Sequence, residues 1–235
     1  KRAFSSCDNL KQVSLPDGLV KIEESAFYSC DSLIALYIPK TVTSVGKDGN
    51  FRSAFSDNEL KHLKITVDPE NEYYMSDENG WVYTKDGKTL LMACNAGKAV
   101  EIPEGVTEIK DMVFYNCNEI QEVVLPGTLE KIGESAFAMC VDIKKMELPD
   151  SLRYIDETAF SGCWWLTELT FGTKVEYIAN GAFMGCGNLK VVTFLNPETV
   201  IAEFSQTTDI ASARRTEITK YAAFHLSSVE MVNCY

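Results

Sequence analysis

The chain has 235 residues with 34 acidic against 22 basic side chains, a formal net charge of −12 and 46% hydrophobic content. That composition belongs to a folded chain, and its negative field repels a phosphate backbone or an anionic bilayer, so nucleic acid and direct membrane insertion are not expected partners. No apolar run approaches the roughly 20 residues that span a bilayer.

The chain opens on Lys1-Arg2-Ala3-Phe4-Ser5-Ser6-Cys7, which has no apolar core of a signal peptide and sits inside a repeat. We therefore expect the sequence to be part of a longer protein. The first full unit follows as Leu10, Val13, Leu15, Pro16, Leu19, Ile22, Ala26, Phe27 and Cys30. It recurs at Ile120 to Cys140, at Ile143 to Cys163, and at Leu166 to Cys186 with Gly172 in the place of proline. Cys117, Cys140, Cys163 and Cys186 stand 23 residues apart, as do Cys7 and Cys30, and Cys94 lies one period before Cys117. A fixed period of this length marks a stacked repeat, in which each coil is covered by its neighbours.

Within a unit, Val13 and Leu15 alternate with polar residues, the period of a strand, and the proline that follows cannot continue a ladder. Leu19 and Ile22 return the chain along the opposite side. Ala26-Phe27 reads as one helical or 3-10 turn in which Phe fills the core. The expected architecture is an α/β right-handed solenoid. A parallel sheet lines its concave face, short 3-10 or helical turns and loops form its convex face, and one β-hairpin is inserted. Parallel side chains in a stacked ladder suit disulfide geometry poorly, so the repeat cysteines read as small buried hydrophobes with inert thiols. They leave the cellular compartment undetermined.

Two interruptions break the period. About five residues, Gly46-Lys47-Asp48-Gly49-Asn50, lengthen one loop. A larger insertion occupies about 68–96, where two apolar runs around Asp86-Gly87 predict a hairpin that projects from the solenoid while the repeat resumes at Val100. The solenoid is assigned to 1–196 and a C-terminal capping segment to 197–235, because the pattern fails after Asn196.

The unit L-x-x-V-x-L-P-x-x-L-x-x-I-x-x-x-A-F-x-x-C, carried by Leu10 to Cys30 and Ile120 to Cys186, resembles the BspA-type (Treponema pallidum-type) leucine-rich repeat. The resemblance covers about 3–195, and the hairpin at 81–92 is similar to an insertion of bacterial members. It implies an exported or cell-surface protein, associated with adhesion to protein or glycan on host, matrix or neighbouring cells. It implies no enzymatic activity and no fixed set of binding residues.

Catalysis finds little to build on. His62 and His225 are the two histidines, and neither stands in a triad-like motif. Paired C-x-x-C ligands, a phosphate loop and a spaced calcium loop are missing, and Asp77-Glu78-Asn79-Gly80 does not have the calcium spacing. No cofactor or metal is expected. Candidate partner-binding residues are therefore the outward strand positions, Ile34, Tyr37, Lys61, His62, Glu101, Glu122, Val124 and Lys145, together with Trp164-Trp165 after Cys163. Each has a plain alternative, since strand positions can form an ordinary solvated face and the tryptophans can pack on the next coil or the cap. The functional expectation is a non-catalytic interaction or adhesion module. Its rivals are a structural spacer without a ligand and an unrecognised hydrolase.

Overall fold

A computed structural model describes residues 1–55, 62–94, 96–196, 199–201 and 230–233. The chain divides into two compact units, Lys1–Asn95 and Ala96–Tyr235, and each is built of stacked coils.

In the first unit, strands Gln12–Val13, Ala35–Ile38 and Lys64–Val67 run parallel with Gln12 opposite Ala35 and Ala35 opposite Lys64. The second unit repeats this with Ala99–Glu101, Glu122–Val124 and Lys145–Met146, and again with Glu168–Phe171, Val191–Phe194 and Glu230–Asn233. Alternation is the reason: Leu169 and Phe171 are buried while Glu168 and Thr170 face water. Each proline then ends its strand, and its carbonyl accepts from the N–H three residues on, as Pro126 does from Leu129 and Pro149 from Leu152.

Beyond the proline the chain forms a second strand only two residues long. These pair into their own parallel ladders, Lys21–Ile22 with Ser44–Val45, and Glu108–Ile109, Lys131–Ile132, Tyr154–Ile155, Tyr177–Ile178 and Val200–Ile201 in succession. Two strands thus extend the ladders inside 197–235, the segment read as a cap. Its other residues, Ala223-Phe224 included, lie outside the described residues.

The Ala-Phe turn takes the expected 3-10 form at Phe51–Phe55. Elsewhere it follows a different rule. The residue before the alanine position and the second after the phenylalanine are left-handed, at Ser25 and Ser29, Met112 and Asn116, and Ser135 and Met139. This makes successive N–H groups point alternately into the coil and out of it. Ser135, Phe137 and Met139 donate to Glu157, Ala159 and Ser161 of the next coil, whereas Ala138 and Cys140 donate within their own. The turn is therefore a third inter-coil ladder, and it satisfies backbone groups that burial would otherwise leave costly.

Under that turn the phenylalanines stack. Phe114, Phe137, Phe160 and Phe183 form a column with ring centroids 4.9, 5.3 and 5.0 Å apart and planes within 10°. Phe4, Phe27 and Phe55 form the equivalent column in the first unit. The cysteines complete each level. Cys140, Cys163 and Cys186 are buried, and their Sγ atoms donate to the carbonyls of Phe114, Phe137 and Phe160 at 3.0, 3.3 and 3.2 Å. All described cysteines are free thiols, as the ladder argument expects.

The insertion does contain the expected hairpin, Val82–Thr84 with Thr89–Met92, and adds a third antiparallel strand, Tyr74–Ser76. It does not project. Val82, Leu91, Met92 and Cys94 are buried in the same core as Ile65 and Val67. Asn71, fully buried, fixes its entry: Nδ2 donates to the carbonyls of Pro39 and Val42, and Oδ1 accepts from the N–H groups of Tyr73 and Tyr74.

Candidate interaction surfaces

The parallel register turns the outward strand positions into rows that run from coil to coil. In the second unit Glu122 stands between Ala99 and Lys145, and Val124 stands beside Glu101. Glu101 and Glu122 are exposed, and Val124 is 59% exposed although it lies within a strand. An isolated exposed valine in a sheet is ordinary, but this one has Glu101 beside it at ladder spacing.

In the first unit Ile34 and Tyr37 are 44% and 43% exposed. Tyr37 lies opposite Thr66, and its hydroxyl donates to Asp68 at 2.8 Å. That bond pushes the phenol above its ordinary range and orients the ring. His62 is exposed; Lys61 lies outside the described residues. Ile34, Tyr37 and His62 thus belong to one unit, and Glu101, Glu122, Val124 and Lys145 to the other.

Trp164 and Trp165 sit away from the strands, on the turn after Cys163, and are 52% and 50% exposed. Trp164 does pack on the next coil, where its ring lies so close to Gly187 that a Cβ there would stand 2.6 Å from it. Yet half of each ring still meets water. Met139 and Met184 are exposed on the same edge, and Met139 covers Gly162 in the same way that Trp164 covers Gly187. Sequence reasoning passed over the two methionines, although the register that places them beside Gly162 is set by the period itself.

Among the described residues no three or more His, Cys, Asp or Glu side chains are grouped to hold a metal ion. Burial pushes the Cys186 thiol up to about 12 and those of Cys140 and Cys163 well above the ordinary thiol range, which removes the thiolate a nucleophile needs. No helix among the described residues is long and apolar enough to cross a membrane.

The model of the BspA type leucine rich repeat region matches residues 1–76 and 87–211 in six copies. No curated protein matches the chain. Among solved structures, the pneumococcal vaccine antigen PcpA is similar over 86% of this chain and 49% of its own, with 26% identity and a TM-score of 0.73. A leucine rich cell surface protein from Faecalibacterium prausnitzii A2-165 has 22% identity and a TM-score of 0.56, covering 82% of this chain and 62% of its own. A leucine-rich repeat protein from Bacteroides ovatus ATCC 8483 has 22% identity and a TM-score of 0.57, covering 98% and 57%. The last two show the fold alone. The chain spans about half the length of PcpA and less than two thirds of the other two.

Proposed function

This chain belongs to the BspA-type leucine-rich repeat family, and from that membership we propose that it is a non-catalytic recognition module displayed at a bacterial cell surface. It binds a protein or glycan of the host, the matrix or a neighbouring cell through the outward rows of its longer strands. One observation carries the reading. Three ladders lock each coil to the next, so side chains such as Val124 and Glu101 are held in fixed register, and binding orders little that is not ordered already. Display outside the cell is supported by the likeness to PcpA, a pneumococcal vaccine antigen.

The intact chain is assayed by surface plasmon resonance against a defined set of matrix proteins and a glycan array. The reading expects at least one partner whose binding is lost in a Tyr37→Ala/Val124→Glu variant. A chain that binds nothing on either panel is a spacer, and turnover of any substrate by the same preparation would replace recognition with catalysis.

A further inference from the structure

The coil does not need large apolar residues at 164 and 165. The two positions after the repeat cysteine hold Asn118-Glu119, Val141-Asp142 and Gly187-Asn188 in the neighbouring coils, all smaller and mostly polar. Trp164 and Trp165 nevertheless stand there half-exposed, with exposed Met139 and Met184 on the coils to either side.

Backbone bonds bring the turns that carry the four side by side. Met139 donates to the Ser161 carbonyl, Gly162 donates to the Met184 carbonyl, and the Met139 side chain lies over Gly162, two residues before Trp164. The carbonyl of Trp164 accepts from both the backbone N–H and the Nδ2 of Asn188, and the N–H of Trp165 donates to Val141. The tryptophan backbone is thus held from both sides, while Gly162 and Gly187 clear room for the Met139 and Trp164 side chains to lie flat. Tryptophan anchors and methionine surfaces are what protein interfaces use: the first supplies rigid area, the second adapts to shape.

Charge selects among protein partners. Glu119 and Asp142 lie on this edge, and its turn positions from Asn116 to Asn188 carry no lysine or arginine. An exposed indole face also attracts a cation. We propose that the edge formed by Met139, Trp164, Trp165 and Met184 is a docking surface for an apolar segment of a partner protein that bears lysine or arginine. This inference rests on the recognition reading above, but it uses a different surface of the coil from the strand rows.

The test titrates the intact chain with an amphipathic Lys/Leu peptide, a Glu/Leu peptide of the same pattern, and chitohexaose, followed by calorimetry and tryptophan emission. The Lys/Leu peptide binds, and its affinity falls about tenfold or more in Trp164→Ala/Trp165→Ala and severalfold in Asp142→Lys. The Tyr37→Ala/Val124→Glu variant binds it as the parent does. Protection of the buried thiols in each variant confirms that the coils are intact, and Asp142→Lys serves if the double variant loosens them. Failure of the Lys/Leu peptide to bind, equal binding of the Glu/Leu peptide, or undiminished binding by both edge variants overturns the proposal. Preference for chitohexaose gives the patch to glycan and overturns it too. Loss of binding in the strand-face variant alone would sink the edge while leaving the recognition reading standing.

Discussion

Truncating Phe137 to alanine removes the middle of a column whose neighbours, Phe114 and Phe160, lie 4.9 and 5.3 Å away with nearly parallel planes. Phe137 is fully buried, so the transfer and cavity terms together amount to about 3–5 kcal/mol. The more discriminating quantity is the coupling between rings. A stacked pair contributes about 0.5–1.5 kcal/mol beyond the area it buries. A double-mutant cycle on Phe137 and Phe160 should recover a coupling of that size. The same cycle on Phe137 and Phe183, which do not touch across the intervening Phe160, should be additive to within about 0.3–0.5 kcal/mol. Urea unfolding followed by circular dichroism supplies the four free energies of each cycle. Equal coupling in the two cycles, or none between Phe137 and Phe160, would refute the view that each coil is stabilised by its immediate neighbours.

Other expectations follow from single groups. Asn71→Ala removes four hydrogen bonds, two to the carbonyls of Pro39 and Val42 and two from the N–H groups of Tyr73 and Tyr74, at about 0.5–1.5 kcal/mol per bond. A loss of about 3 kcal/mol should appear when unfolding is followed at the buried Trp81, with the signals of Trp164 and Trp165 removed by substitution. Ser29 has φ of +50°, at a turn position where Gly162 and Gly185 also adopt positive φ. Ser29→Gly relieves about 1–2 kcal/mol of left-handed strain against about 0.5–1 kcal/mol of added chain entropy, and should raise the unfolding midpoint. Desolvation, reinforced by Asp111, Glu157 and Asp156, raises the Glu134 carboxyl above its ordinary range. A raised acid disfavours the native state above its folded value, and the effect disappears once both states are protonated. Glu134→Gln should therefore increase the midpoint at neutral pH and match the parent as pH falls below the ordinary glutamate range; an unchanged difference across that window would contradict the assignment.

The period of 23 made the core legible, because every Leu, Ile, Phe and Cys in phase had to share a side of the coil. It also placed the longer strands, whose alternation of Val123 against Glu122 and Val124 survives in the burial pattern. The second ladder was not legible, since Lys21–Ile22 or Lys131–Ile132 is too short to display a period of two. Nor was the left-handed turn, because Ser25, Met112 and Thr158 carry no signature of positive φ and adopt it under the demand of inter-coil hydrogen bonds. The hairpin was found from Asp86-Gly87, but its packing inward depends on Leu90, Leu91 and Met92 being buried together, a run that alternation would not have predicted. At the surface, exposure of Val124 and Tyr37 was readable from strand phase. The Met139 and Met184 flanks of the tryptophans were not singled out, since neither occupies a strand.

Thiol accessibility tests the stacked coil most directly. With an alkylating reagent under native conditions and mass mapping of the products, half-buried Cys7 and Cys117 should react, while Cys30, Cys94, Cys140, Cys163 and Cys186 remain protected until the chain unfolds. Rapid native labelling of Cys140, Cys163 and Cys186, or disulfides among them, would contradict a structure in which every coil seals the thiol of the next.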